Sequence, residues 1–237
     1  MNDATLQRLR RELKKYASPQ KARVLRGFFK TGPGQYGEGD RFIGVQVPSA
    51  RRVAKKFQDA NLNDVLRLLR SPIHEERLTA LLILVMRFQK GSVEARGRIY
   101  KIYLQHTRYI NNWDLVDLSA EKIIGPFLAG KDKKVLYQLA RSPSLWERRI
   151  AILSTFHFIK HKKFDETLKI AKMLLRDRED LIHKAVGWML REVGKRDQAC
   201  EKRFLKKHYQ DMPRTMLRYA IEKFSKPTRQ TYLKGRS

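Results

Sequence analysis

The segments RSPIHEERLTALLIL (residues 70–84) and RSPSLWERRIAILST (residues 141–155) carry one pattern twice, at an offset of 71 residues. In each of them Arg-Ser-Pro is followed by Glu-Arg and then by an alanine within an apolar run. The apolar positions follow three- and four-residue steps, which are typical of an amphipathic α-helix. A repeated helical segment of this kind indicates a repeat architecture.

The alanine of this pattern recurs further along the chain. After Ala151 it returns at Ala185 and Ala220, at spacings of 34 and 35 residues. A period near 35 residues is typical of HEAT-like α-solenoids, in which small residues let neighbouring helices cross closely. We therefore predict an all-α fold, a curved α-solenoid of HEAT-like repeats with a basic concave face.

The same pattern sets the expected domain organisation. We predict one HEAT-like-repeat domain over residues 1–237, with core repeats at 17–224 and a basic C-terminal tail at 225–237. The Lys and Arg residues of the tail suggest a loose arm that contacts DNA. Basic residues that accompany the repeated alanines are predicted to form a stripe along the groove, where they follow a phosphate backbone. The stripe consists of Arg77, Arg148, Arg149, Lys184 and Arg218.

The charge of the chain indicates its class of partner. Lys and Arg number 52 against 24 Asp and Glu, a formal net charge of +28. A protein this basic repels itself unless it meets a polyanion, and nucleic acid is the usual one. Charge alone does not separate DNA from RNA.

Several other classes of protein are disfavoured by the sequence. No apolar run approaches the roughly 18 residues of a membrane helix, and the N-terminus lacks the apolar core of a signal peptide. We expect a cytoplasmic protein, associated with the nucleoid if it is bacterial. The single cysteine, Cys200, leaves no intrachain disulfide. His157 and His161 lack the glutamate and third ligand of a zinc helix, so we expect no metal.

A glycine-rich segment, TGPGQYGEGD (residues 31–40), is a further candidate site. It lacks the Gly-Lys-Ser/Thr ending of a phosphate-binding loop, and no strand pattern precedes it. We interpret it as a flexible connector that can approach DNA closely.

The segment NNWDLVD (residues 111–117) carries the strongest candidate for chemistry. An asparagine at its start is suited to cap a helix. Trp113 and Asp117 are then four residues apart on one helix face, so an aromatic ring and a carboxylate face the same side.

With this segment, three others resemble a known family: LWERRIAIL (residues 145–153), KAVGWMLRE (residues 184–192) and residues 28–57, which begin with FFKTGPGQYGEG. Together they are similar to the AlkD-type alkylpurine DNA glycosylases, DNA alkylation repair proteins built of HEAT-like repeats. The resemblance covers residues 17–224. It implies a monofunctional glycosylase that removes N7- and N3-alkylated purines from duplex DNA, as a monomer without a cofactor or a metal.

The resemblance also implies roles for individual residues. Asp117 matches the catalytic carboxylate, Trp113 the aromatic residue beside it, and Arg149 an arginine that contacts DNA. Arg148 is the alternative to Arg149 if the 71-residue repeat sets the register. The implied DNA-binding residues are Gln46, Arg51, Arg148, Lys184, Trp188 and Arg191.

Two differences and two other functions stay open at this point. Val47 stands where the family has a hydroxyl residue. Family members act in an open groove without enclosing the base, and we extend that expectation to this chain. The first alternative function is a non-catalytic binder of damaged or branched DNA, which shares the groove and the charge. The second is a protein–protein scaffold, whose DNA affinity would change little with salt, whereas a phosphate-tracking groove loses affinity steeply.

Overall fold

The computed structural model describes residues 4–235 and is helical throughout, with no strand in that range. The predicted all-α class is therefore confirmed. The chain forms two compact units, Met1–Ser119 and Ala120–Ser237, and each is described in turn. No helix between residues 4 and 235 is long and apolar enough to cross a membrane.

The first unit is organised around one long buried helix. Its helices are α1 (Ala4–Lys14), α2 (Pro19–Phe28), α3 (Val47–Lys56), α4 (Leu62–Leu69), α5 (His74–Lys90), α6 (Val93–Gln105) and α7 (Trp113–Asp117), with a 3-10 turn at Thr107–Tyr109. Helix α5 packs against α3, α4, α6 and α7. Its apolar run from Leu78 to Val85 is buried on every face, as expected of a helix in the centre of a core.

The second unit begins at Ala120 and contains the later repeats. Its helices are α8 (Ala120–Phe127), α9 (Lys134–Ala140), α10 (Leu145–Ser154), α11 (Phe156–Lys160), α12 (Asp165–Met173), α13 (Asp180–Gly194), α14 (Gln198–His208), α15 (Arg214–Ala220) and α16 (Lys226–Leu233), with a 3-10 turn at Ile221–Lys223.

The internal repeat of the sequence is a repeat of structure. Helix α5 begins at His74 and helix α10 begins at Leu145, 71 residues later. Within the second unit α10 packs on α13, and α13 packs on α15, so the helices that carry the repeated alanines follow one another as in an α-solenoid. All three alanines are buried. Gly187 lies at the α13–α15 crossing, where a Cβ would overlap the backbone of α15.

The glycine-rich segment is not the flexible connector that the sequence suggested. Its backbone is folded back on itself: the Gly32 N–H donates to the Gln35 side chain at 3.0 Å, and the Gly34 N–H donates to Glu38 at 2.9 Å. The segment ends at Asp40, whose side chain is buried in the first unit. The segment therefore delivers a carboxylate to the core.

The expectation of a loose C-terminal arm is also wrong for most of the tail. Residues Lys226–Leu233 form helix α16, and Ser225 caps it. Tyr232 is buried, with its ring 5.5 Å from that of Tyr209 and 5.8 Å from that of Phe224. These apolar contacts hold the helix against the second unit. The last two residues of the predicted tail, Arg236 and Ser237, lie outside the described residues.

Glu201 on α14 is a buried carboxyl group, with 2% of its surface exposed. Burial raises its pKa to about 8, although the charges of Arg191 and Lys202 act in the opposite direction. A carboxyl group with this pKa binds a proton in the folded state that the unfolded state releases near its ordinary pKa of 4.5. Folding therefore takes up a proton above pH 4.5, and this costs stability as the pH rises toward 8.

We expect Glu201→Gln to remove this cost. The variant should match the wild type near pH 4.5 and exceed its free energy of unfolding at pH 8 by on the order of 3 kcal/mol, because the amide does not ionise. Urea denaturation of both proteins at several pH values measures the difference. An advantage that is the same at every pH would show that Glu201 is not protonated in the folded state.

Candidate active site

The first unit contains a cavity of about 470 Å³ between α2, α7 and the first turns of α3 and α5. Phe28, Phe29, Phe42 and Trp113 supply aromatic walls, and acidic side chains supply the polar part of the lining. The predicted pair, Trp113 and Asp117, lies on this lining. The prediction that both residues face one side of a helix is therefore confirmed.

The aromatic side chains of the cavity pack on one another. The Phe29 ring stacks on Trp113 at a centroid distance of 5.1 Å and on Phe42 at 5.1 Å. Phe28 meets Trp113 edge to face at 5.7 Å. Phe29 and Phe42 are buried, whereas Phe28 is 61% exposed. Packed rings of this kind are rigid, so they present fixed π-faces to whatever enters.

Helix α7 brings the catalytic candidates to the cavity. It is only five residues long, and Asn112 caps it: the Asn112 Oδ1 accepts a hydrogen bond from the Trp113 N–H at 2.8 Å. The capping role predicted for an asparagine at this place is confirmed. Beyond the helix, Ser119 donates to the Leu115 carbonyl at 2.5 Å and accepts from the Tyr103 hydroxyl at 2.9 Å. Burial raises the pKa of Tyr103, and the nearby charge of Asp117 raises it further, so the phenol stays protonated.

A buried histidine ties this helix to the rest of the unit. His74, the first residue of α5, is 1% exposed and has a carboxylate at each ring nitrogen. Its Nδ1 lies 3.0 Å from the Asp40 Oδ2, and its Nε2 lies 2.9 Å from the Asp114 Oδ2. Asp40 also accepts hydrogen bonds from Arg77 at 2.5 Å and from Asn112 at 3.1 Å. The bridge therefore joins the end of the glycine-rich segment, α5 and α7.

The two carboxylates determine the charge of the imidazole. Burial alone would lower the pKa of His74, but the hydrogen bonds to Asp114 and Asp40 outweigh it and raise the pKa to about 9. At neutral pH His74 is therefore an imidazolium that donates to both carboxylates. Burial would raise the pKa of Asp40, but His74, Arg77 and Asn112 together hold it below its ordinary value.

The next residue, Glu75, positions another side of the cavity. Its Oε1 accepts from three successive backbone N–H groups, those of Ile43 at 3.1 Å, Gly44 at 2.7 Å and Val45 at 3.1 Å. Gly44 has φ +84, and a Cβ there would overlap the Ser18 backbone. The segment that follows carries Gln46, which is exposed at the cavity lining.

Gln46 is the predicted DNA-binding residue that lies on this cavity. Its Oε1 accepts a hydrogen bond from the Lys21 ammonium at 3.2 Å. Arg51, one helical turn further along α3, is exposed to solvent. The contacts of both residues with DNA stay predictions.

The two alternative arginines of the second unit are both engaged with protein groups. Arg149 is 5% exposed, and its Nη1 donates to the Leu181 carbonyl at 2.5 Å. Arg148 is half-buried, and its Nε donates to Asp177 at 2.6 Å. Arg148 is therefore the more accessible of the two, although the resemblance favoured Arg149.

The other predicted residues of the second unit are on α13. Trp188 is half-buried, with its ring 5.9 Å from Phe156. Lys184 pairs with Asp180 at 2.7 Å, and Arg191 pairs with Glu222. A phosphate would have to compete with these carboxylates, and their DNA-binding roles stay predictions.

One member of the predicted basic stripe is not on a surface at all. Arg77 is 3% exposed and is bonded to Asp40 and to the Ser71 carbonyl, so its assignment to the stripe is wrong. The physical reason is that Asp40, 37 residues away in sequence, returns to neutralise it.

Sequence reasoning missed the aromatic walls and the histidine bridge. The Phe28–Phe29 pair directly before the glycine-rich segment was a usable signal, since two adjacent aromatic residues at a helix end seldom serve only the core. Nothing in the sequence pairs His74 with Asp40 and Asp114, because the partners are 34 and 40 residues away. Between residues 4 and 235, no group of three His, Cys, Asp or Glu residues is placed to hold a metal ion.

Comparison with known proteins gives a consistent result. A family model described as "DNA alkylation repair enzyme" matches residues 9–224. A solved structure described as a predicted DNA alkylation repair enzyme from Enterococcus faecalis superimposes with a TM-score of 0.67 and 18% sequence identity. The match covers 89% of this chain and 97% of that one, and it shows a shared fold. No curated protein matches the chain by sequence.

The histidine bridge makes stability depend on pH. Since the pKa of His74 rises from 6.5 to about 9 on folding, its contribution is complete below pH 6.5 and is lost as the pH rises through about 9. We expect His74→Gln to lower the free energy of unfolding by on the order of 3 kcal/mol near pH 6, because two buried carboxylates lose their cation. The deficit should shrink toward pH 9.5.

Urea denaturation at pH 6, 7.5 and 9.5 measures this difference. His161→Gln, which changes an exposed histidine of the second unit, is the matched control and should change the free energy of unfolding little at any pH. A deficit of His74→Gln that does not vary with pH would contradict the imidazolium bridge.

Proposed function

This chain belongs to the family of DNA alkylation repair enzymes, and from that membership we propose that it is a monofunctional DNA glycosylase, which hydrolyses the N-glycosidic bond of N7- and N3-alkylated purines in duplex DNA. The observation that carries the proposal is that a carboxylate, Asp117, shares one cavity with the faces of packed aromatic rings. A DNA repair role follows from the family, and the reaction is our inference from the cavity.

The chemistry of the reaction suits these residue types. A purine alkylated at N7 or N3 carries a positive charge and is already a good leaving group. As the glycosidic bond breaks, positive charge develops on the sugar. A carboxylate beside the sugar stabilises that charge and orients the attacking water, as in glycoside hydrolysis, while the leaving group needs little help from an acid. We assign this role to Asp117.

The aromatic walls supply selectivity for a cationic lesion. A cation over an aromatic face gains about 0.5–1 kcal/mol at an exposed site and about 2 kcal/mol when it is desolvated. Trp113 is half-buried beside Asp117, and Phe28 stands edge-on to it at the exposed side. A neutral base gains less from the same rings. The cavity is therefore suited to prefer alkylated purines over normal ones.

The lining of the cavity bears on whether strand cleavage follows base removal. A bifunctional glycosylase attacks the sugar with an amine, usually a lysine, and forms a Schiff base. The lining contains no lysine. The nearby Lys21 donates its hydrogen bond to Gln46. This supports simple hydrolysis.

The other assignments complete the proposal. We propose that the phosphate backbone is held by Arg51, Lys184, Arg191 and either Arg148 or Arg149, and that Gln46 and Trp188 contact the duplex. We further propose that the protein acts as a monomer in the cytoplasm.

We expect Asp117→Asn to reduce the release of alkylpurines from methylated duplex DNA by about 100-fold or more, since the charge that stabilises the transition state is removed. Free alkylated purine is measured after incubation of the full chain with the DNA. Asp59→Asn, which removes an exposed carboxylate of the first unit, is the matched control and should leave the rate unchanged.

Undiminished release by Asp117→Asn would sink this mechanism. If the wild type binds methylated duplex but releases no base at any pH, the protein is a non-catalytic binder of damaged DNA. If its DNA affinity is weak and insensitive to salt, it is a protein–protein scaffold.

We expect Phe28→Ala to weaken binding of methylated duplex relative to unmodified duplex by about two- to fivefold, which corresponds to the loss of one exposed cation–π contact. Phe28 is 61% exposed, so the truncation costs little stability. Val24→Ala, at 70% exposure on the same helix, is the control and should leave the ratio unchanged. Fluorescence anisotropy with the two duplexes measures the ratio, and an equal loss on both duplexes would rule out selective contact with the lesion.

A further inference from the structure

A second cavity, of about 300 Å³, lies in the first unit outside the candidate active site. It is formed by the end of the glycine-rich segment, the α4–α5 connection and the 3-10 turn before α7. Three arginines line it: Arg70, Arg77 and Arg108. None of the functional assignments made above uses this cavity.

Arg70 is held in place by a neutral partner. Its Nε and Nη2 donate to the His106 Nε2 at 3.2 and 2.8 Å. The other nitrogen of that ring, Nδ1, lies 2.8 Å from the Ile102 carbonyl and must donate to it. Since Nδ1 carries the proton, Nε2 accepts and His106 is neutral. Arg70 is therefore oriented without losing its positive charge to a carboxylate.

Arg108 has the same kind of support. Its Nη2 donates to the Tyr109 hydroxyl at 2.5 Å, and its guanidinium lies over the Tyr109 ring at 4.6 Å. Between residues 4 and 235, neither Arg70 nor Arg108 forms an ion pair with a carboxylate. Two exposed guanidiniums with fixed geometry and uncompensated charge therefore line one cavity.

This arrangement differs from that of other cations on the chain. Arg148, Lys184 and Arg191 all pair with carboxylates, so part of their charge is already neutralised. An anion gains most from donors that are positioned in advance and have no anion of their own. By this criterion Arg70 and Arg108 are better placed to bind a phosphate than the paired cations.

Two buried polar atoms of the same lining point independently to a ligand. The Arg77 Nε and the Asn111 Oδ1 have no hydrogen-bond partner among residues 4–235. Arg77 is 97% buried, and unsatisfied donors at such depth are rare unless a bound group completes them. A half-turn of the Asn111 amide presents its NH₂ group in place of the oxygen, which adds another donor.

The acidic residues of the lining do not oppose an anion fully. Both oxygens of Asp40 are taken, one by Arg77 and the other by His74 and Asn112. Glu38 accepts the Gly34 N–H through its Oε2. The charge of Asp40 is thus balanced within the protein, and one carboxylate faces the two arginines.

We propose that this cavity binds a phosphate group, held by Arg70 and Arg108 with Arg77 behind them, and that the phosphate is a phosphodiester of the duplex backbone. A guanidinium is the group best matched to phosphate, since its fork donates two parallel hydrogen bonds. The choice of DNA as the source rests on the proposed action on duplex DNA. The binding of a phosphate group does not rest on it.

The first experiment uses inorganic phosphate and the full chain. Phosphate should raise the melting temperature of the wild type above that found in chloride at equal ionic strength. The double variant Arg70→Gln/Arg108→Gln should lose this shift. A control that removes two exposed cations of α6, Arg98→Gln/Lys101→Gln, should keep it.

The second experiment measures duplex binding by fluorescence anisotropy at several salt concentrations. Loss of one phosphate contact should reduce the slope of log K against log salt by about 0.9. It should also weaken binding at about 100 mM salt by about tenfold, equally for methylated and unmodified duplexes. If Arg70→Gln disturbs the fold, as circular dichroism would show, Arg108→Gln alone repeats both measurements from an exposed turn.

Each outcome has a definite meaning. Loss of the phosphate shift together with a smaller salt slope, in the site variant only, supports the proposal. Loss of the phosphate shift with an unchanged slope overturns DNA as the source and assigns the site to free phosphate. No difference between site variant and control in either experiment overturns the site. A wild type that binds phosphate here yet releases no alkylpurine contradicts only the proposed glycosylase.

Discussion

The hydrogen bonds of His74 to Asp40 and Asp114 are the interaction on which the rest of the first unit depends. Helix α7 is five residues long and too short to be stable by itself. It is held because Asp114 bonds to an imidazolium at the start of the central helix. Two buried carboxylates this close to one another would repel without that cation, and Arg77 supplies a second cation beside Asp40, so the cluster is electrically balanced. The position of Asp117 in the cavity therefore follows from a histidine that has no chemical role of its own in the proposed reaction.

The same cluster forms a wall of both cavities. His74 and Asp114 line the aromatic cavity, and Asp40 lines the arginine cavity. A cationic base in the first cavity and a phosphate in the second would therefore contact two sides of one buried network. The chemistry of the walls also differs as the two ligands require: packed rings and a carboxylate on one side, and guanidiniums held by neutral groups on the other.

The net charge of +28 overstates how much positive charge faces a ligand. Some of the cations that the repeat pattern selected are paired with carboxylates, and Arg77 is buried as part of the core. What separates a structural cation from a ligand-binding one is the partner that holds it. A carboxylate partner neutralises the charge, whereas a neutral histidine or tyrosine fixes the direction and leaves the charge intact. This distinction depends on contacts between residues far apart in sequence.

The sequence by itself determined the all-α class, the 71-residue repeat from His74 to Leu145 and the shared face of Trp113 and Asp117. These features depend on helical periodicity and on spacings of a few residues, which are local properties of a chain. Only the tertiary structure decided that the glycine-rich segment ends in a buried carboxylate, that His74 is charged and that Arg77 belongs to the core. Each of these depends on partners more than 30 residues apart, because burial and pairing, rather than residue type, set the state of an ionisable group.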